Sequence, residues 1–295
     1  MKIFKPKEVK DDEDRLFIEE EDVFNNTAGD KGSSLMLGKY TIREAGRVLN
    51  KRNFYRDAKK RNLWPVEFEL DSSQFPPIQR LLIYFQEKHP EKIIVDLKIR
   101  EGVFTPKRPA GFHFSKFRFL VLEWLTLQNP RKKFSEEETP LPGQKHPGLN
   151  LGRKIIKLFI YLARLNHNDG ILAFPAYFHN ALLFSRNFHF VNPEKKAEVE
   201  VIRKSFPGLS FKPLAWAVHL NCLKDREGKT YEWNAEEQML PLKKELKDYF
   251  ESKKYKRRYQ QALKEKQYTM DWPRFRKEMK KISLDDKRAG IAIFL

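Results

Sequence analysis

Residues 141–190 read LPGQKHPGLNLGRKIIKLFIYLARLNHNDGILAFPAYFHNALLFSRNFHF. A glycine-punctuated turn runs into an amphipathic stretch, then a short apolar run, then a second helical pattern ending on an aromatic. Apolar residues recur at helical spacing from Gly152 to Leu165, GILAF fits a buried strand, and roughly 177–187 fits a second helix, with FHFV as a further strand. A turn that opens a helix in this way points backbone N–H groups outward, where an anion can meet them.

Upstream, FRFLVLEWLTLQNP is long and apolar enough for a central strand, and IIVDLKIREG and WPVEFELD alternate as half-buried strands do. PPIQRLLIYFQEKHP, with prolines at both ends, is expected to be a helix. Thr41 and Glu44 have capping-box spacing and open a helix through about Asn50, followed by a short one over FYRDAKKRN. PLAWAVHLNCLKDREGKTYEWN is expected to form a hairpin turning at 226–228, and 243–281 to be helix-rich. Strands alternating with helices point to an α/β or α+β layered fold. Four parts are expected: an acidic tail (1–35), a basic helical and strand part (36–90), a core (91–195), and a hairpin plus basic helical part (196–295).

The 295 residues carry a formal charge of +18, a field that favours anionic partners: acyl-CoA, an acidic protein or nucleic acid. The charge is uneven. Residues 1–35 hold 10 acidic and 6 basic side chains, whereas 39–61 are net +7 and 243–281 net +9. The acidic tail is either a frayed terminus or a mobile segment that competes with an anionic ligand. A single cysteine, Cys222, allows no disulfide within the chain. No apolar run approaches the ~20 residues of a membrane span, and MKIFKPKEVKDDEDRLFIEEED does not read as a signal peptide, so a cytoplasmic location is expected.

The turn at 143–153 fails two phosphate-binding patterns. Gly143 and Gly148 have P-loop separation, but Leu149 and Asn150 stand where Lys and Ser/Thr belong; the dinucleotide fingerprint fails at Asn150. The seven histidines (89, 113, 146, 167, 179, 189 and 219) have no recognised metal-ligand spacing, so no metal is expected. Cys222, three residues after His219, is expected to be a buried thiol rather than half of a catalytic pair. In KKYKRRYQQALKEKQYTMDWPRFRKEMKK, aromatics interleave with cations. That pattern suits single-stranded DNA or RNA, or an amphipathic helix docking its rings on the body. Arg47, Lys51, Arg257 and Arg258 are the candidate contacts for nucleic acid.

Residues 117–191 resemble the GNAT (Gcn5-related N-acetyltransferase) family. In that family a Gln/Arg-x-x-Gly-x-Gly/Ala turn opens a helix and binds the pyrophosphate of acetyl-CoA. The matching stretch is PGLNLGRKII, with Gly152 at the last small position, Asn150 at the preceding glycine, and Ile155 and Ile156 at the usual aliphatic pair. The resemblance implies a mixed central sheet flanked by helices, an acyl-CoA cofactor, and Gly148, Asn150, Gly152 and Arg153 as its cradle. It implies transfer of an acetyl or acyl group to an amine, with activity that is degenerate if the missing positions matter. A base and a proton donor are then needed. Glu123, between Leu122 and Trp124 on the central strand, is the candidate base, its carboxyl destabilised as an anion by apolar neighbours; Ser185 or Tyr177 is the candidate donor. The chain departs from the pattern at Pro147 (the Gln/Arg position), at Ser185 (near the family's tyrosine), at His189 (the Gly of Gly-Phe), and in the long RKKFSEEETPLPG connection. The alternative is a non-catalytic basic protein that binds RNA or single-stranded DNA.

Overall fold

The computed structural model describes residues 35–74, 78–104, 116–135 and 138–288. The acidic tail, apart from Leu35, and the apolar C-terminal AGIAIFL lie outside the described residues.

Two helices lead. Helix α1 (Ile42–Lys51) starts at a complete capping box: the Glu44 amide donates to Thr41 Oγ1 at 3.1 Å and the Thr41 amide to Glu44 Oε2 at 2.9 Å. Helix α2 (Phe54–Lys60) follows. Four strands come next: β1 (Val66–Asp71), β2 (Gln79–Phe85), β3 (Ile93–Phe104) and β4 (Phe117–Leu127), paired antiparallel in sequence order. Helix α3 (Gly152–Leu165) crosses over to β5 (Gly170–Ala173), which pairs parallel with β4. Helix α4 (Phe178–Phe184) leads to β6 (His189–Phe190), and α5 (Pro193–Ser205) and α6 (Phe211–His219) follow. After β7 (Leu223–Asp225), strand β8 (Gln238–Pro241) inserts between β5 and β6. Helices α7 (Lys244–Glu251) and α8 (Lys253–Glu265), strand β9 (Tyr268–Met270) and helix α9 (Trp272–Arg288) close the described chain.

The fold is therefore mixed α/β, with a seven-stranded sheet in the order β1-β2-β3-β4-β5-β8-β6 and a small β7-β9 ribbon. The sheet crosses the expected part boundaries, because β1 and β2 come from the N-terminal part and β8 from the C-terminal one. No helix among the described residues is long and apolar enough to cross a membrane.

Three apolar clusters hold the layers. Leu120 and Leu122 of β4 face α1, α2 and α3, where Phe159 is 2% exposed; truncating such a ring to alanine costs about 3–5 kcal/mol. Phe119 and Val121, on the other face, pack against Leu246, Tyr249, Phe250 and Tyr255 of α7 and α8. A third cluster unites α4, α5, α6, β7, β9 and α9 around Trp216, Ile202 and Phe275.

Two expectations are corrected. The PPIQRLLIYFQEKHP segment contains β2, not a helix. Residues 81–85 are all buried between β1 and β3, and a strand covered on both faces shows no alternation to read. The flanking prolines bound a strand as readily as a helix. The expected hairpin keeps its turn at 226–228, closed by the Lys224–Thr230 bridge, but its leading arm PLAWAVH belongs to α6. Helix α5 went unassigned in the sequence, although Asn192 caps it and Pro193 opens it.

Candidate functional site

The site grows from β4. Its ladder with β3 skips Glu123: Ile99 is opposite Leu122, and Lys98 is opposite Trp124. An extra residue in one strand bends it and breaks its alternation. Leu125 and Leu127 accordingly return to the α3 face beside Leu120 and Leu122, while Val121, Glu123 and Trp124 share the opposite face. There Glu123 Oε1 accepts a hydrogen bond from Arg100 Nε at 2.5 Å.

The parallel ladder of β4 with β5 ends at the Leu122–Ala173 pair. Beyond it β4 continues through Glu123–Leu127 while β5 ends at Ala173, so this edge of β4 loses its strand partner. Residues 119–122 are at most 3% exposed, whereas 123–127 are half-buried and Trp124 is 40% exposed. The second half of the sheet's central strand is therefore less covered than the first.

The mouth of α3 sits beside the end of β4. Gln128 bridges Gly148, and the Leu149 amide donates to Leu127 O at 3.4 Å. Asn150 adopts φ +56°, the left-handed region that glycine and asparagine favour. No side chain caps α3 and no acidic residue occupies its first turn. Among the described residues, the amides of Gly152 and Arg153 have no hydrogen-bond acceptor. Gly152 is exposed, and a Cβ built on it meets nothing within 4 Å. Arg153 is exposed and makes no ion pair among the described residues. Its neighbour Lys154 pairs with the buried Asp57 of α2, and Arg61 Nη2 donates to Leu149 O at 3.0 Å. Arg61, one of the basic residues that make 39–61 net +7, thus fastens the turn.

The long connection from β4 to α3 arches over the carboxyl end of β5. The Trp216 indole donates to Pro140 O at 2.7 Å. Gly143, at φ +75°, lies so close to Tyr177 that a Cβ would stand 2.5 Å from its hydroxyl oxygen. Behind this arch is a cleft of about 410 Å³ lined by Tyr177, His179, His219, Glu232 and Trp233. Burial raises the Tyr177 pKa above its usual value, keeping the phenol protonated. Burial, with His219 nearby, pushes the His179 pKa down to about 4, and burial lowers that of His219.

The candidate residues thus separate. Gly148, Asn150, Gly152 and Arg153 gather at one helix mouth, and Glu123 stands on the adjoining strand. Ser185 does not join them. It is exposed at the far end of α4, roughly 10 Å of helix from Phe178, and its hydroxyl donates to Ala181 O at 2.8 Å. Tyr177, its alternative, is the donor the fold brings to the end of β5. His179, His219 and Trp233 went unassigned to any site, although PAYFH directly follows a buried strand, where open α/β sheets bind ligands.

The candidate nucleic-acid contacts lie apart. Arg47 and Lys51 are exposed on α1, on one side of the sheet; Arg257, exposed, and Arg258, half-buried, sit on α8, packed on the other. Tyr255, Tyr268 and Phe275 are buried and unable to stack on a base, while Trp272 is 44% exposed. Cys222 is fully buried, its thiol pKa raised by burial. Among the described residues no three His, Cys, Asp or Glu side chains gather into a metal-holding group.

Comparisons with protein families, curated proteins and solved structures find no match to this chain.

Proposed function

We propose that the protein is an acyl-CoA-dependent N-acyltransferase-like protein of GNAT type, transferring an acyl group to an amine. One observation carries the reading: the parallel β4–β5 ladder ends beside an uncapped helix mouth whose amides at Gly152 and Arg153 are unclaimed. Partial positive charge from the helix dipole and the Arg153 guanidinium would both act on a diphosphate there. The residues present fit such a group, since Gly152 leaves room for it, Asn150 supplies the turn, and no carboxylate opposes it in the first turn. When bound, acyl-CoA supplies an activated thioester.

The chain's own residues divide the remaining work. Gly152 and Arg153 would hold the phosphates. The half-exposed edge of β4 from Glu123 onward offers backbone groups to the acyl arm. The Glu123 carboxylate takes a proton from the attacking amine, with Arg100 fixing its orientation. The Tyr177 hydroxyl, kept protonated by burial, would give a proton to the leaving thiolate. Acetyl-CoA added to the purified protein should raise Tm, with about 2.7 kcal/mol of stabilisation at 100 times Kd. Free thiol should appear when an amine is supplied. Absence of any Tm shift at millimolar acetyl-CoA would overturn the reading.

Binding of RNA or single-stranded DNA is the second reading. It is favoured by α8, which carries six basic residues against one acidic. It requires binding that weakens steeply between about 50 and 200 mM salt.

A further inference from the structure

We propose that the cleft at the carboxyl end of β5 binds an organic cation, an alkylammonium ion held by aromatic faces, by the Glu232 carboxylate and by a ring nitrogen of His179. The first support is His179 itself. It is 5% exposed, lines the cleft, and has no hydrogen-bond partner among the described residues. Its ring stacks on Tyr177, centroids 5.2 Å apart, with His219 close by. Its ring nitrogens are not among the sealed-off polar atoms, so the imidazole presents the cleft with an acceptor that an N–H donor from a ligand can meet.

The second support is charge. In a chain of formal charge +18, no Lys or Arg among the described residues lines this cleft, and among them its one charged group is Glu232. Lys195, which lies over the Trp233 ring at 4.4 Å, is tied to Glu198 at 2.5 Å. His179 and His219 are both held neutral, so neither repels a cation. The third support is the wall itself. The lining rings of Tyr177, His179 and His219 contact one another, with Tyr177–His219 at 5.9 Å, and Trp216 backs His219 at 5.5 Å from outside the lining. Trp233 is fixed by its indole bond to Pro175 O at 3.3 Å and by an edge contact with Phe178. Aromatic faces attract cations, and more strongly where water is excluded.

Calorimetric titration of the full chain with hexylamine at pH 7.5, against hexan-1-ol and hexanoate as length-matched controls, tests the inference. Hexylammonium should bind at least tenfold tighter than the alcohol, and hexanoate should not bind. Glu232→Gln, a change at an exposed rim position, should weaken the amine at least fivefold and leave the alcohol unchanged. His179→Phe, which keeps a ring but removes both nitrogens, should weaken it further. Equal affinity for amine and alcohol, a preference for hexanoate, or an unchanged Glu232→Gln variant would each overturn the inference. No acyl donor is present in this titration, so its outcome is independent of whether the α3 mouth binds acyl-CoA.

Discussion

Glu123 Oε1 and Arg100 Nε meet at 2.5 Å across a ladder that skips Glu123 itself. The bulge that displaces this carboxylate from regular pairing also lies where β4 loses contact with β5. One extra residue therefore sets the orientation of the candidate base at the point where β4 loses its β5 partner.

Glu123→Gln should lower kcat for acyl transfer at least tenfold while leaving the KM for acyl-CoA within twofold, because the side chain does not belong to the helix mouth. Steady-state kinetics checks this. Arg100→Ala should cost no more than about 1 kcal/mol of stability in a urea melt, since both partners remain about a quarter exposed to screening water.

Gly152→Glu should act in opposite directions on stability and binding. The side chain has open space, and an acid in the first turn of a helix adds about 0.3–1 kcal/mol. The same carboxylate would repel a diphosphate. The apo protein should melt at or above the wild-type Tm, and the stabilisation by acetyl-CoA should disappear.

Gly143→Ala should destabilise by roughly 1–3 kcal/mol. The position combines φ +75° with a Cβ that would collide with the Tyr177 ring. Chemical denaturation gives the magnitude.

Stability should fall as pH drops from about 6.5 toward 4. Burial lowers the His179 pKa from 6.5 to about 4, so across that window the unfolded chain binds a proton the folded chain refuses. The contribution is fully present above pH 6.5 and is of order 3 kcal/mol. His219 and His189, both lowered by burial, act with the same sign. Replacing His179 with Phe should flatten the urea-melt profile between pH 4 and 6.5.

Much of this architecture was legible in local patterns. The α1 capping box, the limits of α3, and β4 as the central strand follow from side-chain chemistry and periodicity within a few residues. Asn150 was readable as a positive-φ position because few other residues tolerate it. Strand β2 was not legible, since burial on both faces erases the alternation that marks a strand. The bulge at Glu123 leaves no signature in FRFLVLEWLTL, because it arises from register against Lys98 and Ile99. The cleft was hidden for a similar reason: Tyr177, His219 and Trp233 lie far apart in sequence and meet only when β8 inserts beside β5.

The most direct test of the central claim is a ¹⁵N-resolved NMR titration of the protein with CoA. The amide resonances of Asn150, Leu151, Gly152 and Arg153 should shift most, saturably, and the shifts should vanish in Gly152→Glu. Unmoved amides at the mouth of α3, with CoA saturating elsewhere or nowhere, would contradict the account.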